Sequence, residues 1–194
     1  MAGVGPAPTE RHSSPGPLVT DERQVHDGVI RAVQTIALPG ARADRLARAR
    51  SDSLERIIQA YLRESQRMSC GAVGARYRAD TIRFGPPIGP AVLRFRVAER
   101  RQAPDGWQLT LRIVGGLLAE RGSQRGTLSV GILPADGSLV VRFVLDSYRP
   151  SVAGLPVIGP LYDCFQAWLH SLHARRFADR LARSWPELLG ITRA

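Results

Sequence analysis

The hydrophobic pattern of the chain changes period near Gly71, from about 3.6 residues to about 2. Before that point Leu54, Ile57, Ile58, Tyr61 and Leu62 recur at the spacing of one helix face. Asp52-Ser53-Leu54-Glu55 precedes them in the form of a capping box, with an acid at the cap and Glu three residues on. After Gly71 the apolar positions alternate. Residues 77–84, 91–99, 107–114, a short 117–121, 126–133 and 138–148 all read as strands. In the second of these, Leu93, Phe95 and Val97 alternate with Arg94, Arg96 and Arg100. In the third, Trp107, Leu109, Leu111 and Ile113 alternate with Gln108, Thr110 and Arg112. One apolar and one wet face is the pattern of an antiparallel sheet covered on one side. Pro104-Asp105-Gly106 and Pro134-Ala135-Asp136-Gly137 supply turns between the strands.

The period then returns to that of a helix. Leu161, Phe165, Trp168, Leu169, Leu172, Phe177 and Leu181 form a stripe over residues 161–183. A helix of that length is roughly 35 Å long, enough to cross a sheet about 25–30 Å wide. The expected fold is α+β, with one long C-terminal helix lying across an antiparallel sheet of five to six strands.

The start of the chain divides in two. Residues 1–19 are rich in Pro, Gly, Ser and Ala without periodicity and read as a disordered tail, leaving residues 20–190 as a single domain. Residues 20–38 fit two descriptions. Val25, Val29, Val33 and Ile36 suit a helix capped by Thr20, whereas the β-branched run 29–36 before Pro39-Gly40 suits a strand.

Composition sharpens the functional question without answering it. The net charge is +10, and every basic residue is Arg, since the chain contains neither Lys nor Asn. Residues 1–70 hold 10 Arg against 8 acids, and residues 71–194 hold 17 Arg against 9, so the excess sits on the sheet-and-helix portion. Such a surface attracts nucleic acid or an anionic bilayer, although solubility and a G+C-rich codon bias explain many arginines equally well. Cys70 and Cys164 have no metal or redox spacing, which fits reduced thiols in a cytoplasm. The N-terminus lacks the charged and apolar regions of a secretory signal, and no apolar run reaches a membrane-spanning length. The expected location is cytoplasmic.

Candidate chemistry is sparse. His170 and His173 stand three apart on the terminal helix, but Asp163, the nearest acid on that side, lies about 10 Å away along the axis, so no metal site is expected. Glu120, Asp146 and Tyr148 are polar groups near strand ends. Asp146 is expected to face solvent, and Tyr148 either hydrogen-bonds a ligand or caps the core. No nucleophile–base pair or phosphate-binding loop is present; the glycines of residues 85–90 are interrupted by prolines that lack N–H donors. Two loops are unusually apolar: residues 84–90, with Ile88, and residues 152–161, with Val152, Leu155, Val157 and Ile158. They either fold onto the end of the core or gate a pocket.

The order of elements, with Gly126-Thr127-Leu128, Ser147-Tyr148-Arg149-Pro150 and the Gly154–Pro160 segment before an Arg-ending helix, resembles the START-like (helix-grip, SRPBCC or polyketide cyclase-like) superfamily. It is similar in particular to a bacterial family of unknown function. The resemblance covers roughly residues 25–185. It favours a strand over residues 29–36 and implies a curved sheet gripping the terminal helix around an apolar cavity, with no cofactor. Phe95, Trp107, Phe143 and Tyr148 from the strands would then line that cavity with Phe165, Trp168 and Leu169 from the helix, and Leu155 and Ile158 would stand at its mouth. The expected partner is a small hydrophobic molecule, lipid- or polyketide-like. An arginine-mediated interaction with an anionic surface and a cofactor-free cyclase- or hydratase-type enzyme are the alternatives.

Overall fold

The computed structural model describes residues 18–42, 44, 46, 52–103, 105–119, 126–152, 155–156 and 160–191. Of residues 39, 40, 42, 103, 152, 155, 156 and 160–172 it describes the backbone alone. The proposed tail lies outside these residues except at its end, where Leu18 and Val19 are ordered against Ala37 and Ile36.

Eight strands form one antiparallel sheet. In chain order they are β1 (Val19–His26), β2 (Val29–Arg42), β3 (Gly74–Arg78), β4 (Thr81–Gly85), β5 (Leu93–Ala103), β6 (Gly106–Gly115), β7 (Thr127–Ala135) and β8 (Ser138–Tyr148). Across the sheet the order is β1-β2-β8-β7-β6-β5-β4-β3. Helix α1 (Ser53–Met68) joins β2 to β3. After β8 the short strands β9 (Ser151–Val152) and β10 (Leu155–Pro156) pair with each other and lead into helix α2 (Pro160–Leu189). The architecture is helix-grip α+β, with the sheet's apolar face closed by helices.

The sheet has more strands than the five to six expected, for identifiable reasons. Residues 20–38 form strands, and Asp27-Gly28, both at positive φ (50° and 72°), make the tight turn that pairs β1 with β2. β1 is an edge strand with mostly exposed side chains, so it carries no alternation to read. Residues 77–84 are divided between two strands by a turn at Ala79-Asp80, with Ala79 at φ 47°. The expected strand at residues 117–121 is instead a crossing segment, represented among the described residues by a single bridge between Ala119 and Pro150.

The terminal helix is 30 residues long, roughly 45 Å, yet it does not cover the sheet alone. Leu54, Ile57, Ile58 and Leu62 of α1 share the inner face with Phe177, Ala178, Leu181, Trp185 and Leu189 of α2. Against them lie Ile36 and Leu38 of β2, Leu109, Leu111 and Ile113 of β6, Val130 and Ile132 of β7, and Leu139, Val141 and Phe143 of β8. Two contacts tie the start of α1 to the end of α2: Ser53 Oγ donates to Leu189 O at 3.2 Å, and Arg56 Nη1 to Glu187 O at 3.4 Å. Asp52 sits at the N-cap as expected, but its side chain caps no backbone N–H. Its carboxylate instead accepts from Arg56 Nε at 2.9 Å, and Glu55 takes Arg100 at 3.0 Å.

Arg100 reaches Glu55 because of a bulge. The register of β5 on β6 shifts between Val97 and Glu99, which brings Arg100 opposite the inward-facing Leu109. It therefore leaves the wet face expected from simple alternation and binds both Glu55 and Asp80 (3.2 Å). Arg94, Arg96 and Arg112 precede or oppose the bulge and stay exposed on the outer face.

Candidate functional site

Strand β2 contributes Ala32, Gln34, Ile36 and Leu38 to the inner face, all buried. Gln34 is the exception in chemistry. It is 2% exposed, and among the described residues neither its Nε2 nor its Oε1 has a hydrogen-bond partner. In the sheet register Gln34 stands opposite Phe143 of β8 on one side and Asp21 of β1 on the other. Directly opposed residues share a face, so Phe143, Gln34 and Asp21 form a row graded from apolar to anionic.

Aromatic rings from both helices close over the apolar end of this row. Tyr61 of α1 stacks on Phe143, with centroids 4.7 Å apart and planes at 28°. Phe177 of α2 meets both rings edge-on, at 5.2 Å from Tyr61 and 5.7 Å from Phe143. His173, one turn before Phe177, packs against Tyr61 at 4.3 Å, and its Nε2 lies 2.9 Å from Ser65 Oγ and 3.1 Å from Tyr61 O. Its side chain is thus held between the helices. Among the described residues no group of three potential ligands gathers around a metal position. Burial, and secondarily the charge of Asp21, push the Tyr61 phenol well above its usual range, so it stays a neutral hydroxyl.

The sequence-derived candidates are distributed around this arrangement. Phe143 is at its centre. Phe95 is buried on the same face, farther toward β4 and opposite Ile113 and Ile82. Trp107 is buried near the start of α1, where it lines a cleft of about 180 Å³ with Leu54, Glu55, Arg100, Gln102 and Leu109. Tyr148 is buried at the other end of the sheet, and its hydroxyl donates to Leu118 O at 2.5 Å. That bond anchors the crossing segment. Leu155 lies in β10, Phe165, Trp168 and Leu169 lie on the backbone of α2, and Ile158 is outside the described residues. Asp146 is half exposed beside Arg31, at 3.8 Å, and Glu120 is outside the described residues.

The two apolar loops begin at the same end of the sheet. Leu118 N donates to Val92 O beyond the first loop, and Ser151 N, at the start of the second, donates to Leu118 O. The crossing segment between them requires Gly116: at φ 132°, a Cβ there would strike Val92 O and Leu93 Cα. Ile88 at the tip of the first loop is 91% exposed, so this loop does not fold down onto the core.

Sequence reading missed Gln34, Tyr61, Ser65 and His173 as a group. Gln34 alone left a signal, a polar residue at an inward position of an alternating run. The others come together through the packing of α1 on α2.

No family model matches the chain, and no curated protein does. Solved structures similar to it include a STAR-related lipid transfer protein fragment from Xanthomonas axonopodis, at 12% identity and a TM-score of 0.44, covering 87% of this chain and 99% of that one. An uncharacterised protein from Bacillus thuringiensis aligns at 7% identity and a TM-score of 0.42, covering 77% of this chain and 98% of that one. Ara h 8.0201 aligns at 10% identity and a TM-score of 0.38, covering 87% and 99%. These are loose likenesses of arrangement, and they assign neither ligand nor activity to this chain. The structure is that of an α+β helix-grip protein whose inner face carries a buried amide, Gln34, without a hydrogen-bond partner among the described residues. Among the described residues no helix is long and apolar enough to cross a membrane.

Proposed function

We propose that the protein binds a small hydrophobic molecule, lipid- or polyketide-like, between the inner face of the sheet and α2, with one polar group of that molecule hydrogen-bonded to Gln34. The observation that carries this reading is the Gln34 amide, buried among apolar and aromatic side chains with both of its polar atoms unpaired. A buried polar group without a partner costs about 1–3 kcal/mol, a cost that a ligand carbonyl or hydroxyl at this position removes. Phe143 and Phe95 form the sheet wall in this reading, and Phe165, Trp168 and Leu169 the helix wall. Leu155 and Ile158 stand where a ligand enters, and Tyr148 and Trp107 close the two ends. No cofactor is required.

The test is thermal unfolding with a long-chain fatty acid and with an aromatic polyketide as probes. At a hundredfold excess over Kd a bound probe stabilises by about 2.7 kcal/mol. Gln34→Leu is expected to lose part of that gain for probes carrying a carbonyl or hydroxyl group. Equal stabilisation of Gln34→Leu and wild type by every probe that binds would contradict the assignment of Gln34.

A further inference from the structure

The opposite, outer face of the sheet carries a cluster of arginines that the ligand-binding reading does not use. Alternation places Ile82 of β4 and Phe95 of β5 inward, so Arg83, Arg94 and Arg96 point outward. Register then aligns them across strands. Arg76 of β3 opposes Arg83 of β4, Arg83 opposes Arg94 of β5, and Arg96 opposes Arg112 of β6. Neighbouring strands are about 4.8 Å apart, so opposed arginines leave the outer face from adjacent positions. None of the five has an ion-pair partner among the described residues: nearby Asp80 is held by Arg100, and Asp146 by Arg31. Like charges directly opposed across strands are destabilising, and an anionic partner relieves them.

A second observation selects the partner. Arg83 reaches from this face to residues 86–89, where Nη1 donates to Pro86 O at 2.9 Å and Nη2 donates to Gly89 O. The β4–β5 loop is thereby bent toward the arginine face, and it carries Ile88, 91% exposed, at its tip. Leu117, 37% exposed, lies beside the loop through its N–H bond to Ala91 O at 2.8 Å. An aliphatic tip beside a cationic face suits a bilayer: the side chain enters the acyl boundary while the arginines meet headgroup phosphates. Nucleic acid would use the arginines and leave Ile88 without a role.

We propose that the outer face of β3–β6, with the Ile88 loop, docks the protein on membranes rich in anionic lipid. The test is co-sedimentation of the full chain with phosphatidylcholine vesicles, with and without about one-third phosphatidylglycerol. Binding is expected to the anionic vesicles alone and to weaken steeply with added salt. Arg94→Gln with Arg96→Gln is expected to weaken it roughly fivefold per charge removed. Ile88→Asp, on an exposed loop and therefore without effect on the unfolding midpoint, is expected to weaken it at constant salt. It carries the test should the double arginine variant fail to fold. Absence of vesicle binding at low salt, equal binding to neutral vesicles, or single-stranded nucleic acid binding indifferent to Ile88→Asp in place of vesicle binding would each overturn the proposal.

Discussion

Tyr61 of α1 lies stacked on Phe143 of β8, 4.7 Å between centroids, so one ring contact joins the first helix to the last strand of the sheet. Phe177 of α2 seals both rings edge-on and is fully buried. The three rings thus link both helices to the sheet. Phe177→Ala is expected to destabilise by about 3–5 kcal/mol, the range for removing a buried aromatic ring, measured by urea unfolding. A loss below about 1 kcal/mol would show that the two helices are held elsewhere.

The raised Tyr61 pKa gives a pH signature. In the unfolded chain a phenol ionises near pH 10.0, while the folded state keeps Tyr61 protonated above that. Between those values the unfolded state binds fewer protons, so stability falls as pH rises past about 10. Below that pH this contribution is constant. Tyr61→Phe removes the group and is expected to flatten the fall in denaturant midpoint between about pH 10 and 11 while leaving the midpoint near pH 7 little changed. An identical alkaline slope in the variant would contradict the assignment.

Gln34 offers a test in the unliganded protein. Replacing its unpaired amide by an apolar side chain removes the desolvation penalty, so Gln34→Leu is expected to stabilise the ligand-free protein by about 1 kcal/mol or more. Destabilisation of similar size, measured by urea unfolding after delipidation, would mean that the amide is satisfied without a ligand.

Alternation made the strands legible wherever one face is buried, as in β6 with Trp107, Leu109, Leu111 and Ile113 inward. It failed at β1, whose edge position leaves Thr20, Asp21, Glu22 and Gln24 exposed, and the turn at Asp27-Gly28 that separates β1 from β2 was not read. The bulge after Val97 was invisible because one extra residue changes the facing of Arg100 without changing the local composition. The arginine cluster follows the same logic. Each outward Arg of β5 and β6 could be read from its own strand, but the opposition of Arg76, Arg83 and Arg94 depends on register between strands. The aromatic group at Phe143 required the approach of α1 to α2, which no local pattern encodes.

The anchoring of the crossing segment is testable at Tyr148. Tyr148→Phe keeps the ring and removes the donor to Leu118 O, so a loss of about 0.5–1.5 kcal/mol is expected. Faster hydrogen exchange should accompany it at Leu118 and Ser151, whose N–H groups donate to Val92 O and Leu118 O. Unchanged exchange at both would show that the segment is fixed without the tyrosine.

Native mass spectrometry of the protein purified without detergent tests the central claim most directly. The account predicts a mass above that of the 21.2 kDa chain by one small hydrophobic molecule, which is released on organic extraction and is reduced in occupancy in Gln34→Leu and Phe143→Ala. A bare chain mass, together with no adduct after incubation with fatty acid and polyketide probes, would contradict it.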